Sequence, residues 1–270
     1  MTRDDEAFQQ SLTLFHRYSR QNDETVRQMQ LRHILPSSPI GNSSLLDIGA
    51  GEGRLPRLLQ PYVGKLVLLE PNDRCADVLE RSFSPVYRCA WGPAALHRLQ
   101  IDFPDGFDIV TMSHMLYHLG GMDDVRTKIR MALALLKPQG HLVIVVNQPT
   151  AVTLKVGVAS FAAGGRPDEA QWQQTLQGFC HQPSFYAELA GATTTVSVES
   201  IETPLQDVPN REELIALLRM ALIDPISTAP CSLERLDAQI ATFLDINYPA
   251  LPYPATLSSQ DSLIILRRSG

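Results

Sequence analysis

The stretch LLDIGAGEGRL, residues 45–55, constrains this chain more than any other. An apolar run, Leu45–Ile48, leads into glycines at alternate positions, Gly49, Gly51 and Gly53. Leu55, Leu58 and Leu59 then recur at helical spacing. A strand, a glycine turn and a helix let backbone approach a bound ligand closely, because glycine has no Cβ and accepts positive φ. A dinucleotide fingerprint reads G-x-G-x-x-G, with pyrophosphate at the helix N-terminus. Here Arg54 stands where the third glycine would fall, and Asp47 adds a carboxylate two residues before Gly49. A carboxylate repels pyrophosphate and suits a cationic ligand group. Glu70 closes the next apolar run, where an acid can accept hydrogen bonds from both hydroxyls of a ribose. A tight turn and a strand-end acid are the bland alternatives. The order of the two motifs favours a nucleoside-bearing cofactor.

Apolar runs and helical patterns alternate on either side of this turn. Phe8, Leu12, Phe15 and Tyr18 mark a first helix. Asn22 or Asp23 is expected to cap a second, carrying Val26, Met29 and Ile34, before Pro36 and SSPIGNSS end the region. Strands are expected at Leu66–Leu69, Pro85–Cys89, Phe107–Met112 and Leu142–Val146, with helices at Asp73–Arg81 and from Val125 to Leu136. Further on, a weak helix at Pro183–Ala190 precedes a strand near Thr194–Ile201. Asn210 and Glu213 form a capping box for Leu214–Ile223, Ser232 caps Leu233–Leu244, and Asp261–Arg267 is a closing strand. The expectation is an α/β fold: a Rossmann-like, seven-stranded, mostly parallel sheet flanked by helices, with an N-terminal helical cap and a helical insert before the last strand. It reads as one domain, 1–270: a cap at 1–44, a cofactor-binding core at 45–147, and a substrate-side half at 148–270. That half carries the insert at about 205–250 and a final strand at 261–268.

Composition removes several function classes. A net charge of −6, with 23 scattered Lys and Arg, argues against a nucleic-acid partner. Cys75, Cys89, Cys180 and Cys231 form no CxxC pair, so neither a metal site nor a disulfide framework is expected. The apolar window Ala151–Ala163 is interrupted by Lys155, Gly157 and Ser160 and is too short to span a bilayer. The opening MTRDDEAFQQ lacks an apolar leader, and the chain reads as soluble and cytoplasmic. A small-molecule substrate is expected. The oligomeric state stays open, a monomer being compatible with the sequence.

DIGAGEG, LLEPN, FDIVTMSHMLYHL and LKPQGHLVIV, in this order over residues 45–147, resemble the motifs of class I methyltransferases. The resemblance implies S-adenosylmethionine as cofactor. Asp47, Gly49, Gly51, Gly53, Glu70, Pro71, Asn72, Ala90, Trp91 and Ser113 would hold it. Many members carry an acid near the end of the third strand, and this chain has YRCAWGP there. Adenine recognition would then rest on backbone around Ala90 and Trp91. FHRYSRQNDET, CAW, HMLYH, STAP and the closing DSLIIL are similar to the histamine N-methyltransferase family along nearly the whole chain.

That closer resemblance implies Glu24 and His114 as the residues that orient the substrate for catalysis. It adds Tyr18, Tyr117, His118 and Ser259 as further substrate contacts. The family's amide before the last strand is replaced near Ser259, and its tryptophans after the fifth strand by AVTLKVGV. Val152 and Val156 are expected to line the pocket instead. A helix-favouring acid is the bland reading of Glu24, and packing or rim positions that of Tyr117 and His118. The expected activity is methyl transfer to a small nitrogen-containing metabolite. The alternatives are O- or C-methylation, or cofactor binding without catalysis; Asp47 and Arg54 disfavour a nicotinamide oxidoreductase.

Overall fold

A computed structural model describes residues 3–36, 43–163, 167–191, 194–222 and 232–270. In chain order the elements are α1 (Arg3–Tyr18), α2 (Gln21–Leu31), β1 (Ser44–Ile48), α3 (Arg54–Leu59), β2 (Lys65–Leu69), α4 (Asp73–Glu80) and β3 (Val86–Tyr87). Then come α5 (Pro93–Asp102), β4 (Phe107–Ser113), α6 (Met122–Ala134), β5 (Leu136–Asn147), α7 (Val152–Ala163), α8 (Pro167–Cys180) and α9 (Pro183–Ala190). The chain ends with β6 (Thr194–Glu202), β7 (Leu205–Val208), α10 (Arg211–Leu218), α11 (Leu233–Asn247), β8 (Ala255–Leu257) and β9 (Gln260–Arg268). The seven-stranded sheet that the alternation of the sequence leads one to expect has the order β3-β2-β1-β4-β5-β9-β6. The pairings β1–β2, β1–β4, β2–β3 and β4–β5 are parallel. Strand order reverses at β1, between β2 and β4, and ligands of open α/β sheets bind at such a switch point beyond the strands' carboxyl ends.

The chain divides into two compact units. One comprises residues 22–146, 179–201 and 262–270 and holds most of the sheet. Its β1 is buried at every position, as a central parallel strand must be. On one side of the strands Val26 and Met29 from α2 and Leu55 and Leu59 from α3 pack with Leu45, Ile109, Val143, Leu263 and Ile265. A smaller cluster joins Ala50, Leu68, Leu79 and Phe83. The other unit comprises residues 1–21, 147–178 and 202–261. In it α1 packs on α10 and α7 on α11, while β7 and β8 form a separate antiparallel pair. Its core gathers Leu14, Phe15, Val152, Val156, Leu214, Leu217, Ile240 and Leu244.

Several local expectations are corrected. The second helix begins at Gln21, whose N–H is met by Ser19 Oγ at 3.2 Å, so neither Asn22 nor Asp23 caps it. The fifth strand begins at Leu136, where LKPQG pairs onward from Phe107 through an irregularity. The third strand shortens to Val86–Tyr87. Asn210 Oδ1 does accept the Glu213 N–H, at 2.8 Å, but the Glu213 carboxylate does not return to complete the box. It accepts the Tyr18 hydroxyl proton instead. The expected insert holds β7 as well as helices, and STAP and Cys231 lie outside the described residues.

Candidate active site at the glycine turn

The glycine turn hangs from the end of β2. Gly49 and Ala50 donate their N–H groups to Leu69 O at 2.8 and 3.2 Å, and Gly53 donates to Ala50 O at 3.0 Å. All three glycines have positive φ, +79°, +55° and +80°. Their surroundings separate their roles. A Cβ on Gly53 would stand 2.6 Å from Leu79 Cδ2 and 2.9 Å from Phe83 Cε2, so this glycine permits packing on α4. A Cβ on Gly49 would meet Met115 Cβ at 3.1 Å. One on Gly51 would meet nothing within 4 Å. Of the three, only Gly51 presents its bare face to open space that a ligand could use. The sequence treats them alike and the structure does not.

Carboxylates surround this turn. Asp47 is buried, and its Oδ1 accepts the Thr111 hydroxyl proton at 2.5 Å across the β1–β4 register pair. Burial pushes the Asp47 carboxyl up to about 7; the Thr111 bond opposes this, and the charge of Glu70 adds to it. Glu70 is also buried. Its Oε2 accepts from Gly51 N and its Oε1 from Asn72 N, both at 2.8 Å. Burial raises its pKa, and those two N–H groups limit the rise. A carboxylate has about four acceptor positions, so Glu70 keeps room for two ribose hydroxyls. Glu52, within the turn, is raised by burial and lowered by Arg57 and Arg74. Three carboxyl groups make the turn hospitable to a cation and hostile to pyrophosphate.

The remaining expected cofactor residues are placed as follows. Asn72 Oδ1 caps α4 through the N–H groups of Arg74 and Cys75, and Pro71 is exposed. Ala90 is exposed, while Trp91 is buried with its indole N–H donated to Lys128 O at 3.1 Å. The Trp91 ring is therefore held in the core, and exposed backbone at Ala90 is what remains for an adenine edge. Ser113 ends β4 opposite Val145.

His114 follows with φ +53°, a conformation non-glycine residues rarely adopt and one that clusters at functional sites. Its N–H is anchored to Val145 O at 2.9 Å, and its ring stacks on Tyr117 at 6.3 Å between centroids. Burial of the imidazole drives its pKa down to about 3. It is neutral at any working pH, able to donate or accept a hydrogen bond and too weak a base to take an ammonium or phenol proton. His118, in the helical turn Leu116–His118, is exposed.

Glu24 lies in the first turn of α2, partly buried. Its carboxylate accepts from Arg27 Nη2 and Nε at 2.6 and 2.7 Å and from Gln28 Nε2 at 2.8 Å. The Arg27 bond, then that of Gln28, holds its pKa below the ordinary value against burial. Its neighbour Asp23 lies 3.5 Å from Arg54, the residue that starts α3 at the end of the glycine turn. Met115, next to His114, lies on Gly49. Glu24 and His114 thus each adjoin a residue that touches the turn or its end, one at Arg54 and one at Gly49. Tyr18 is engaged elsewhere, its hydroxyl 2.5 Å from Glu213 Oε2. Ser259 is buried and its carbonyl accepts from Thr203 N at 2.8 Å. Val152 and Val156 are fully buried in the core with α1 and α10, so they do not line a pocket.

Sequence reasoning missed Thr111, Met115, Glu52 and the Asp23–Arg54 pair. Thr111 had a visible signal, a lone hydroxyl inside the apolar strand FDIVTM. Glu52 stood in the glycine turn itself, while Met115 on Gly49 and the Asp23–Arg54 pair depend on folding distant segments together.

Residues 14–188, more than half of the chain, match the family described as "Methyltransferase domain". The chain belongs to that family. It carries the family's seven-stranded Rossmann-like sheet and a glycine turn whose residues fit S-adenosylmethionine. Nodulation protein S of Rhizobium tropici is 26% identical over 109 residues, 40% of this chain and 44% of that protein. The mitochondrial ubiquinone biosynthesis O-methyltransferase of Bos taurus is 27% identical over 127 residues, 46% of this chain and 34% of that protein. The matches thus span less than half of either relative's length. Among solved structures, the YcgJ protein of Bacillus subtilis superposes with a TM-score of 0.54 at 16% identity, covering 91% of this chain and 98% of that one. That likeness supports the fold. Among the described residues no helix is long and apolar enough to cross a membrane.

Proposed function

We propose that this chain transfers a methyl group from S-adenosylmethionine to a nitrogen of a small metabolite. The domain division belongs to the same reading: a cofactor-binding core at 45–147, an N-terminal cap at 1–44 and a substrate-side half at 148–270. The carrying observation is the acid-lined turn, with the open face of Gly51 between Asp47 and Glu70. When bound, the cofactor supplies a methyl already activated on a sulfonium, so the protein has to align, desolvate and exclude water. Glu70 would hold the ribose, Asp47 would favour the cationic end, and Gly51 would leave the space.

The choice of nitrogen rests on the residues near the turn. A nitrogen acceptor must present a lone pair, and a phenol must first lose a proton. His114, with a pKa near 3, cannot remove a proton from either at neutral pH. It can orient an acceptor that arrives neutral, as imidazole-like and aromatic amines do. Glu24, kept ionised by Arg27 and Gln28, would receive an N–H or a cationic group on the same substrate. The histamine N-methyltransferase-like reading supports this assignment through FHRYSRQNDET and HMLYH. Tyr117 stacked on His114 would form an aromatic wall, and His118 the rim. Tyr18 stays in the proposal as a residue of the N-terminal cap, and Ser259 as one of the substrate-side half.

O-methylation is the second reading, favoured by the name of the Bos taurus relative. The test is a metabolite panel of amines, phenols and acids incubated with the protein and cofactor, read by mass spectrometry for gain of one methyl. Methylated amines with unmodified phenols support the proposal. Methylated phenols alone replace it with the second reading, and cofactor binding without any product replaces it with a binding role.

A further inference from the structure

In the unit formed by residues 1–21, 147–178 and 202–261, a groove of about 450 Å³ lies among α7, α8 and α11. Three helices each lend it one stripe. Leu154 and Val158 come from α7 four residues apart, Phe243 and Asn247 from α11 four residues apart, and Gln174 from α8. The floor is apolar: Leu154 and Phe243 are buried and Val158 is partly covered. The opposite stripe of α7, with Val152 and Val156, is consumed by the core. This face is the one α7 leaves for something else.

Charge decides what that is. Among the described residues Lys155 is the only charged one lining the groove; it is exposed and makes no ion pair with them. Here it lines an apolar groove together with three amides, Gln174, Gln177 and Asn247; Gln174 has an NH₂ group to donate, and Asn247 keeps one N–H beyond its bond to Phe243 O at 2.8 Å. The volume lies in the range of small-molecule sites and an apolar floor with few polar groups is their usual composition.

We propose that this groove is a binding site for an amphipathic monoanion, a carboxylate on an apolar chain or ring. The carboxylate sits on the Lys155 ammonium with help from Gln174 and Asn247, and the apolar body lies on Leu154, Val158 and Phe243. None of these residues belongs to the cofactor assignment, so the site stands or falls independently of the methyl-transfer reading. The ligand is a small metabolite separate from the methyl acceptor.

The test is calorimetric titration of the full chain with octanoate, and with octanol as the uncharged control. Octanoate should bind saturably with one site, and octanol at least about ten-fold more weakly, the scale of a hydrogen-bonded charge. Lys155→Glu reverses the charge at an exposed position and should weaken octanoate binding by at least that factor. Val158→Asp should abolish it, with cofactor affinity and melting temperature retained in both variants. Octanoate binding should leave acceptor kinetics unchanged, and competition with the acceptor would overturn the assignment of a separate ligand. Absence of saturable octanoate binding, equal binding of octanol, or wild-type affinity in either variant overturns the proposal.

Discussion

Thr111 Oγ1 donates to Asp47 Oδ1 at 2.5 Å, locking a buried carboxyl at the point where the sheet's strand order reverses. That carboxyl titrates near 7 because burial disfavours its charge. A cationic ligand beside it favours the ionised form, so binding must release a proton near neutrality. S-adenosylmethionine affinity should therefore rise as pH increases from 6 to 8. Calorimetry in buffers of different ionisation enthalpy should detect the released proton. Asp47→Asn should bind more weakly and lose the pH dependence. Affinity that stays flat over this range in the wild type would remove Asp47 from the cofactor's cationic end.

The glycines give a second, separable expectation. Gly53→Ala places a Cβ against Leu79 and Phe83 at φ +80°, so it should cost about 1–3 kcal/mol of stability through overpacking and strain. A Cβ at Gly51 meets nothing within 4 Å, so the stability cost of Gly51→Val comes chiefly from its left-handed backbone, about 1–2 kcal/mol. Its main effect should be loss of cofactor binding. Thermal melts of the two variants with and without cofactor make the comparison. Gly51→Val should melt with no cofactor-induced rise, and Gly53→Ala should melt low yet still respond.

Asp261 provides a stability test. It is fully buried at the start of β9, its Oδ2 accepts from Gln21 Nε2 at 2.9 Å, and burial raises its pKa to about 7 while the bonds of Gln21 and Thr203 restrain it. The unfolded chain loses this proton near pH 4. Between about 4 and 7 the folded state holds a proton that the unfolded state has released, so stability falls as pH rises through that window. Asp261→Asn keeps the shape and an acceptor for Gln21. Urea unfolding should show it less pH-dependent than the wild type between pH 5 and 8, and no less stable at pH 8. A variant that is destabilised equally at both pH values would show that the carboxylate charge is not the cost.

What could be read in advance follows the range of the interactions. The order of the strands from Leu45 to Val146, and of the helices α3, α4 and α6, was legible because each element carries its own period and its own breaker, whereas α5 (Pro93–Asp102) was not expected. α7 was not, because VTLKVGVASFAA is apolar nearly all round and offers no 3.6-residue stripe. β7 was hidden because four residues, LQDV, acquire strand geometry only by pairing with β8 across α10 and α11. The glycine turn was legible as a local pattern, Gly49, Gly51 and Gly53 straight after an apolar run. Whether Gly53 faces a ligand or Leu79 was not, since the answer comes from α4. Val152 and Val156 were read as pocket wall because sequence alone cannot say which face of α7 meets the core.

Substrate recognition gives the last test. Glu24 and His114 adjoin residues that meet opposite ends of one turn, Asp23 on Arg54 and Met115 on Gly49. Glu24→Gln keeps the Gln28 contact and removes the charge that Arg27 holds, so it should chiefly raise KM for a substrate with an N–H or cationic group. His114→Ala removes the orienting imidazole and should lower kcat more than it raises KM. His114→Asn tolerates the left-handed backbone and keeps a hydrogen-bonding group, so it should recover part of that loss. The sign of the pH profile separates orientation from proton abstraction. An imidazole with pKa about 3 is already neutral, so the acidic limb of kcat between pH 5 and 8 should be the same in wild type and His114→Asn. A limb near 6–7 that vanishes in His114→Asn would show an imidazole exposed enough to act as a base, and would overturn the orienting role. Wild-type kinetics in all three variants on an authenticated acceptor would place the substrate elsewhere.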